Sequence, residues 1–222
     1  MILHIEGVAK SYRNKSVLKN ISLQADKGTC IGIVGGNGAG KSTFLSILAG
    51  IQKADSGSFM FNGFDLFKDH VKRSAIVGYV SQGTPLIPEL SAKDNLLLWY
   101  DRKTLNIELE KRILKLLGID EFLHVPVKKM SGGMKKRLSI GCAMVGKPPI
   151  LLLDEPTAAL DLICKRDIAN YLKSYTEAGG IVIMTTHDVT ELSACDSCYI
   201  MKDGYLQPYV YDGDVQTLIE QL

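Results

Sequence analysis

The run Gly35-Gly36-Asn37-Gly38-Ala39-Gly40-Lys41-Ser42 has the residue types and the spacing to hold phosphate. Its glycines let the backbone curl until N–H groups face phosphate oxygens, and a helix beginning at its end adds favourable positive potential. Lys41 can reach the β- and γ-phosphates of a nucleotide, the Ser42 hydroxyl can ligate Mg2+, and Thr43 can add a hydrogen bond to the α-phosphate. A merely tight glycine turn would need neither the Lys-Ser-Thr sequence nor the strand before it and the helix after it. A second chemical signal stands at Ile150-Leu151-Leu152-Leu153-Asp154-Glu155, where a buried strand ends in two adjacent carboxylates. Asp154 at the strand tip is suited to hold Mg2+ through a water, and Glu155 to take the proton of an attacking water. Alone, a strand ending in Asp-Glu is common and usually just marks a loop. Together with the glycine loop it is a signature of nucleoside triphosphate hydrolysis.

Three further motifs occur in a fixed order around these two. Gln82 follows a short apolar strand, Ser131-Gly132-Gly133 precedes a basic helix, and His187 follows the run from Ile181 to Thr186. With Asp161 at its separation, this set resembles the ATP-binding subunits of ABC transporters over essentially the whole chain. The most specific element is Ser-Gly-Gly between the glycine loop and Asp154-Glu155, which other P-loop ATPase families lack. The resemblance implies a head-to-tail dimer that buries two ATP molecules, each between the glycine loop of one subunit and the signature of the other. The amides of Ser131, Gly132 and Gly133 then meet the γ-phosphate from across the interface. Gln82 senses Mg2+ and the attacking water and hinges a helical subdomain. Ala158-Ala159-Leu160-Asp161 contacts the opposing subunit, and His187 touches the γ-phosphate and orients the water. Tyr12 is at the point where the family stacks an aromatic ring on adenine, worth about 0.5–1.5 kcal/mol beyond area burial. The implied cofactors are ATP and Mg2+. The implied partners are a second ABC subunit, identical or related, and a transmembrane permease whose cytoplasmic helix docks near Gln82.

Two departures from the family pattern stand out. The usual signature begins with Leu and ends in Gln, whereas here it reads Met130-Ser131-Gly132-Gly133-Met134. Met130 keeps the apolar character, but Met134 removes a side-chain amide. Ser-Gly-Gly-Met followed by Lys135-Lys136-Arg137 is similar to signatures in the drug-, ion- and polysaccharide-export branch. The same basic trio also suits an ordinary solvated helix face.

These motifs need elements to hold them. Leu3 to Val8, Val17 to Leu23 and Gly57 to Phe61 alternate like strands, with Asn62-Gly63 as a turn. Short strands are expected at Ile31 to Val34 and Ile76 to Val80, with a helix from Lys41 to Ala49 stopped by Gly50. From Ser91 to Leu117 the apolar residues recur at helical spacing, and Gly132 to Val145 reads as helix again. Strand, helix, strand then follow at Ile150 to Leu153, Leu162 to Tyr175 and Ile181 to Thr185. The expectation is an α/β P-loop core with a mostly parallel sheet, an antiparallel β layer and an inserted helical subdomain. It divides one domain, 1–222, into a core of 1–82 and 146–222 and a helical subdomain of 83–145.

A length of 222 residues, 46% hydrophobic and 23% charged, suits a globular chain of this kind. The net charge of +2 makes nucleic acid an unlikely default partner. No apolar run approaches the ~18 residues that cross a bilayer, and Met1-Ile2-Leu3-His4-Ile5-Glu6 has no leader pattern. The chain is expected in the cytoplasm, peripheral on the membrane through a permease. Cys30, Cys142, Cys164, Cys195 and Cys198 suit a reducing compartment, with Cys195 and Cys198 bordering a buried strand rather than forming half a zinc site. His4, His70 and His124 read as structural or surface residues. The alternative class, a soluble ABC ATPase of DNA repair, cluster assembly or translation, would call for a coiled-coil or zinc insertion, a tandem cassette or a basic stripe. A nucleotide-binding regulatory module without turnover would not need Glu155.

Overall fold

Parallel pairing brings the expected motif residues to one edge of a sheet. The computed structural model describes every residue except Met1, Asn14, Thr84 and Ala159. Its strands are β1 (Leu3–Tyr12), β2 (Lys15–Ala25), β3 (Cys30–Val34), β4 (Ser56–Phe61), β5 (Phe64–Asp65), β6 (Val77–Val80), β7 (Ile150–Asp154), β8 (Ile181–Thr185), β9 (Ser197–Lys202) and β10 (Tyr205–Tyr209). Its helices are α1 (Lys41–Ala49), α2 (His70–Ile76), α3 (Ala92–Leu97), α4 (Arg102–Lys111), α5 (Ile113–Leu116), α6 (Gly132–Ala143), α7 (Leu162–Glu177), α8 (Val189–Ser193) and α9 (Val215–Gln221).

One sheet is antiparallel, in the order β2-β1-β4-β5, and the other runs β10-β9-β3-β8-β7-β6. In the second sheet β9, β3, β8, β7 and β6 are mutually parallel, and β10 returns antiparallel along β9. Every residue of β3, β7 and β8 is buried, which is why these strands are apolar without alternation. Their two faces serve different cores. Ile150 and Leu152 pack with Phe44, Leu45, Ile47 and Leu48 of α1 and with the inner face of the antiparallel sheet. Leu151 and Leu153 pack instead against Leu138 and Ile140 of α6, Leu96 of α3 and Ile168 of α7. Burying each such side chain contributes about 1.5–3 kcal/mol, so α1 is clamped between the two sheets.

Several expectations needed adjustment. Ile76 ends α2 instead of opening a strand, because pairing with β7 begins only at Val77 opposite Ile150. The helical run from Ser91 to Leu117 is three helices. Asp101 accepts from Thr104 N at 2.9 Å and so starts α4 afresh, and Arg112 leaves helical geometry with φ −133° and ψ −148° before α5. Tyr100, between α3 and α4, donates to Gly141 O at 2.9 Å and fastens the break to α6. The segments β10, α8 and α9 had no expected counterpart, and β9 answers to the buried strand expected beside Cys195 and Cys198. Cys198 lies inside β9 rather than beside it, and Cys195 Sγ is 3.7 Å from Cys30 Sγ. All five cysteines are free thiols. The basic trio is not a solvated face. Lys136 is buried, while Arg137 donates to Leu117 O at 3.2 Å and lies over the Phe122 ring at 5.2 Å. No described helix is long and apolar enough to cross a membrane.

Candidate functional site

The loop between β3 and α1 owes its shape to two close approaches. A Cβ at Gly35 would meet Met201 O at 2.3 Å, and one at Gly40 would meet Leu18 Cδ2 at 2.7 Å. Gly40 is also the left-handed cap of α1, with φ 110° and no side-chain capping bond, which leaves the first amides of this helix free to meet an anion. Gly36, Asn37 and Gly38 are exposed, and nothing lies within 4 Å of a Cβ built at Gly36 or Gly38. Ala39 donates to Gly36 O at 3.2 Å, closing the curl. A cavity of about 350 Å³ opens beside the loop, lined in part by Lys15, Val17, Gly36, Asn37, Gly38 and Ala39.

Lys41 is buried and turned back into this curl. Its Nζ donates to Gly35 O at 2.6 Å and to Gly36 O at 3.3 Å, and it is 3.2 Å from His187 Nε2. Burial pushes its ammonium below the ordinary lysine value, and attraction to Glu155 and Asp154 opposes that push. A phosphate could replace these weak carbonyl partners with a strong, charge-assisted one.

The loops after β3, β6, β7 and β8 all leave the carboxyl edge of parallel strands, the edge where α/β sheets bind ligands. Sheet register sets Asp154 opposite Thr185. Thr185 Oγ1 donates to Asp154 Oδ1 at 2.6 Å and accepts from Glu155 N at 3.1 Å. Glu155 N also donates to Thr185 O at 3.1 Å, and Glu155 itself is left-handed, with φ 48°. Such a backbone is costly for a non-glycine residue and persists only where its surroundings over-determine it. The result aims the Glu155 side chain between two neighbours. Gln82 Nε2 donates to Glu155 Oε2 at 3.0 Å, and His187 Nε2 is 3.5 Å from Glu155 Oε1.

Behind His187 lies a web of polar side chains. Thr186 Oγ1 donates to Glu191, Asp188 N donates to Thr186 Oγ1 at 2.9 Å, and Lys165 Nζ pairs with Asp188 Oδ2 at 2.6 Å. Lys165 holds the Asp188 carboxyl below its ordinary range, whereas burial pushes Glu191 up. This web floors a cavity of about 410 Å³ that reaches Glu155 and His187.

Among the described residues no side-chain hydrogen bond joins the remaining expected residues to this cluster. Ser131 caps α6, accepting from Met134 N at 3.2 Å, and a Cβ at Gly133 would meet Cys164 Sγ at 2.3 Å. Gly132 faces Leu160, 3.7 Å from its built Cβ. Asp161 caps α7 by accepting from Cys164 N at 2.9 Å. Among the described residues no hydrogen bond joins Ser131, Gly132, Gly133 or Asp161 to the glycine loop. Ala159 lies outside the described residues. Tyr12 ends β1, 43% exposed, with its hydroxyl donating to Gln52 and Lys10 Nζ 5.5 Å from its ring centre. Ser42 is exposed and Thr43 half-buried in the first turn of α1.

Among the described residues no group of three or more His, Cys, Asp or Glu could enclose a metal ion. Mg2+ is held by few protein oxygens and completes its shell with water and phosphate. Ser42 and Asp154 supply hard oxygen donors of the right kind, and Gln82 a third. Sequence reasoning missed Thr185 and Lys136. A threonine's aim depends on sheet register, and a lysine in a basic run shows no sign of burial until α6 is packed.

The profile of the ABC transporter family matches residues 18–158. The linearmycin resistance ATP-binding protein of Bacillus subtilis (strain 168) is 36% identical over 208 residues, covering 91% of this chain and 67% of that protein. The spermidine/putrescine import ATP-binding protein of Spiroplasma citri is 36% identical over 212 residues, covering 93% of this chain and 60% of that protein. The chain therefore spans about two thirds or less of the length of these relatives. A solved dimeric ATP-binding cassette, in a post-hydrolysis state bound to ADP and Pi, superposes with a TM-score of 0.82 at 28% identity, covering 92% of this chain and 96% of that one. Phosphate loop, parallel sheet and profile agree: the chain belongs to the ABC transporter family, as one of its ATP-binding ATPase domains.

Proposed function

We propose that this chain is the ATP-hydrolysing subunit of a membrane transporter, working as a dimer that closes on ATP. The observation that carries the reading is the meeting of Lys41, Gln82, Glu155 and His187 within hydrogen-bond reach at the carboxyl edge of the parallel sheet. Glu155 is the general base for the attacking water, steered by Gln82 and His187. Lys41 and the amides of Gly36, Asn37, Gly38, Ala39 and Gly40 hold the phosphates, with Thr43 on the α-phosphate. Ser42, Asp154 and Gln82 hold Mg2+, which supplies charge neutralisation on the phosphates.

Tyr12 stacks on adenine beside the cavity at Lys15 and Val17. Ser131, Gly132 and Gly133 serve the nucleotide of a second subunit, and Asp161 lies at that contact. Within their own chain Ser131 and Asp161 are engaged as the caps of α6 and α7. Closure moves the helices of 83–145 relative to the core of 1–82 and 146–222, and a permease helix seated near Gln82 carries that motion. The subunit then works at the cytoplasmic face of the membrane. The Ser-Gly-Gly-Met signature favours export, although relatives named for resistance and for import match at the same 36% identity.

Copurification from detergent-solubilised membranes tests the transport reading. A stoichiometric multi-spanning partner is expected. A nucleic-acid or cluster-assembly complex in its place would move the chain to the soluble class of ABC ATPases.

A further inference from the structure

Lys136 of α6 is only 5% exposed, in a helix face that its sequence neighbours would suggest is wet. Both of its hydrogen-bond partners are main-chain oxygens: Ser81 O at 3.2 Å and Gln82 O at 3.5 Å. Burying an ammonium is expensive, and two carbonyls offset that cost less well than a carboxylate would. Burial accordingly pushes Lys136 below the ordinary lysine value, while Asp154, Glu155 and Glu191 attract it from farther off. A well-packed apolar side chain would stabilise the fold at least as well, so packing alone gives no reason for a cation here.

Connectivity supplies a reason. The two carbonyls that Lys136 holds are successive, Ser81 O nearer and Gln82 O farther, and the side-chain amide of Gln82 donates to Glu155 Oε2 at 3.0 Å. The helix that carries Lys136 begins with Ser131 at its cap and Gly132 and Gly133 in its first turn. Arg137, the next residue, binds Leu117 O and the Phe122 ring, so it fastens α6 to the other helices instead. The basic trio thus divides its work, with one member reaching across to the segment after β6.

We propose that Lys136 is a positioning residue for hydrolysis, tying the signature helix to the Gln82 main chain so that displacement of that helix changes how Gln82 holds Glu155. The inference rests on the reading of Glu155 as the base.

The test is a double-mutant cycle read in steady-state ATPase kinetics. Lys136→Met keeps length and bulk but loses the donor, so kcat should fall about tenfold or more while KM for ATP stays within about threefold. Lys136→Arg should restore most of the rate. Gln82→Ala should also lower kcat, and adding Lys136→Met to it should cost less than about a further twofold, because both act on one chain of contacts. If the two losses multiply in full, the tether is wrong while the role of Gln82 stands. If Gln82→Ala turns over at the wild-type rate, the reading of the site fails and takes the tether with it. Should Lys136→Met fail to fold, Lys136→Gln completes the same cycle: a sub-multiplicative loss supports the tether, and a fully multiplicative one overturns it.

Discussion

Lys41 answers for the nucleotide more directly than any other side chain. Its ammonium is already inside the loop, held by the carbonyls of Gly35 and Gly36 that a phosphate would displace. No other lysine lies in the loop. Lys41→Ala should therefore abolish tight ATP binding in a calorimetric titration, and near-wild-type affinity would contradict the phosphate-loop assignment. Thr185 carries a less visible duty, since one buried hydroxyl fixes both Asp154 and the backbone of Glu155. Thr185→Val leaves a buried carboxylate oxygen without its donor, at a cost of about 1–3 kcal/mol. Thermal denaturation should show Tm lowered by roughly 2–4 °C per kcal/mol, with kcat falling too. An unchanged Tm would mean that water replaces the hydroxyl at no cost. The loop and Asp154-Glu155 were legible in the sequence because each is a contiguous motif. Thr185 was not, because its aim comes from pairing with Asp154 across β7 and β8.

At the scale of elements, the signature helix is fitted to α7 as closely as side chains allow. Gly133 leaves no room for a Cβ, which would meet Cys164 Sγ at 2.3 Å and Cys164 Cβ at 3.2 Å. Gly133→Ala should push the start of α6 off α7 and destabilise the protein by about 1–3 kcal/mol, as overpacking does. Cys164→Ala added to it should recover most of the loss, measured as Tm, because it removes the sulfur in the way. No recovery would locate the clash elsewhere. The same scale explains what the sequence concealed. β3, β7 and β8 were legible as unbroken apolar runs, which only strands buried on both faces require. β10 carries a mixed pattern because Tyr205 and its neighbours lie exposed on a sheet edge, and β9 beside it is buried only at Cys198, Ile200 and Met201. The breaks at Tyr100–Asp101 and Arg112 fall inside an even apolar period, so only the capping geometry reveals three helices.

At the scale of the whole molecule, two groups of expected site residues are joined by no hydrogen bond among the described residues, and in the proposed reading each is half of a site. The glycine loop, Gln82, Glu155 and His187 form one cluster, and the start of α6, packed through Gly133 on the first turn of α7 that Asp161 caps, forms the other. A second subunit arranged head to tail would complete both. Glu155→Gln keeps size and shape, so ATP should bind, persist and hold two subunits together, whereas ADP should not. The variant should therefore elute as a dimer with ATP and Mg2+ and as a monomer with ADP. The central claim, that Glu155 takes the proton of the attacking water, is tested most directly by the ATPase rate of Glu155→Gln at saturating ATP. A kcat lowered about 100- to 10,000-fold with ATP affinity retained is expected; turnover at the wild-type rate would contradict the claim.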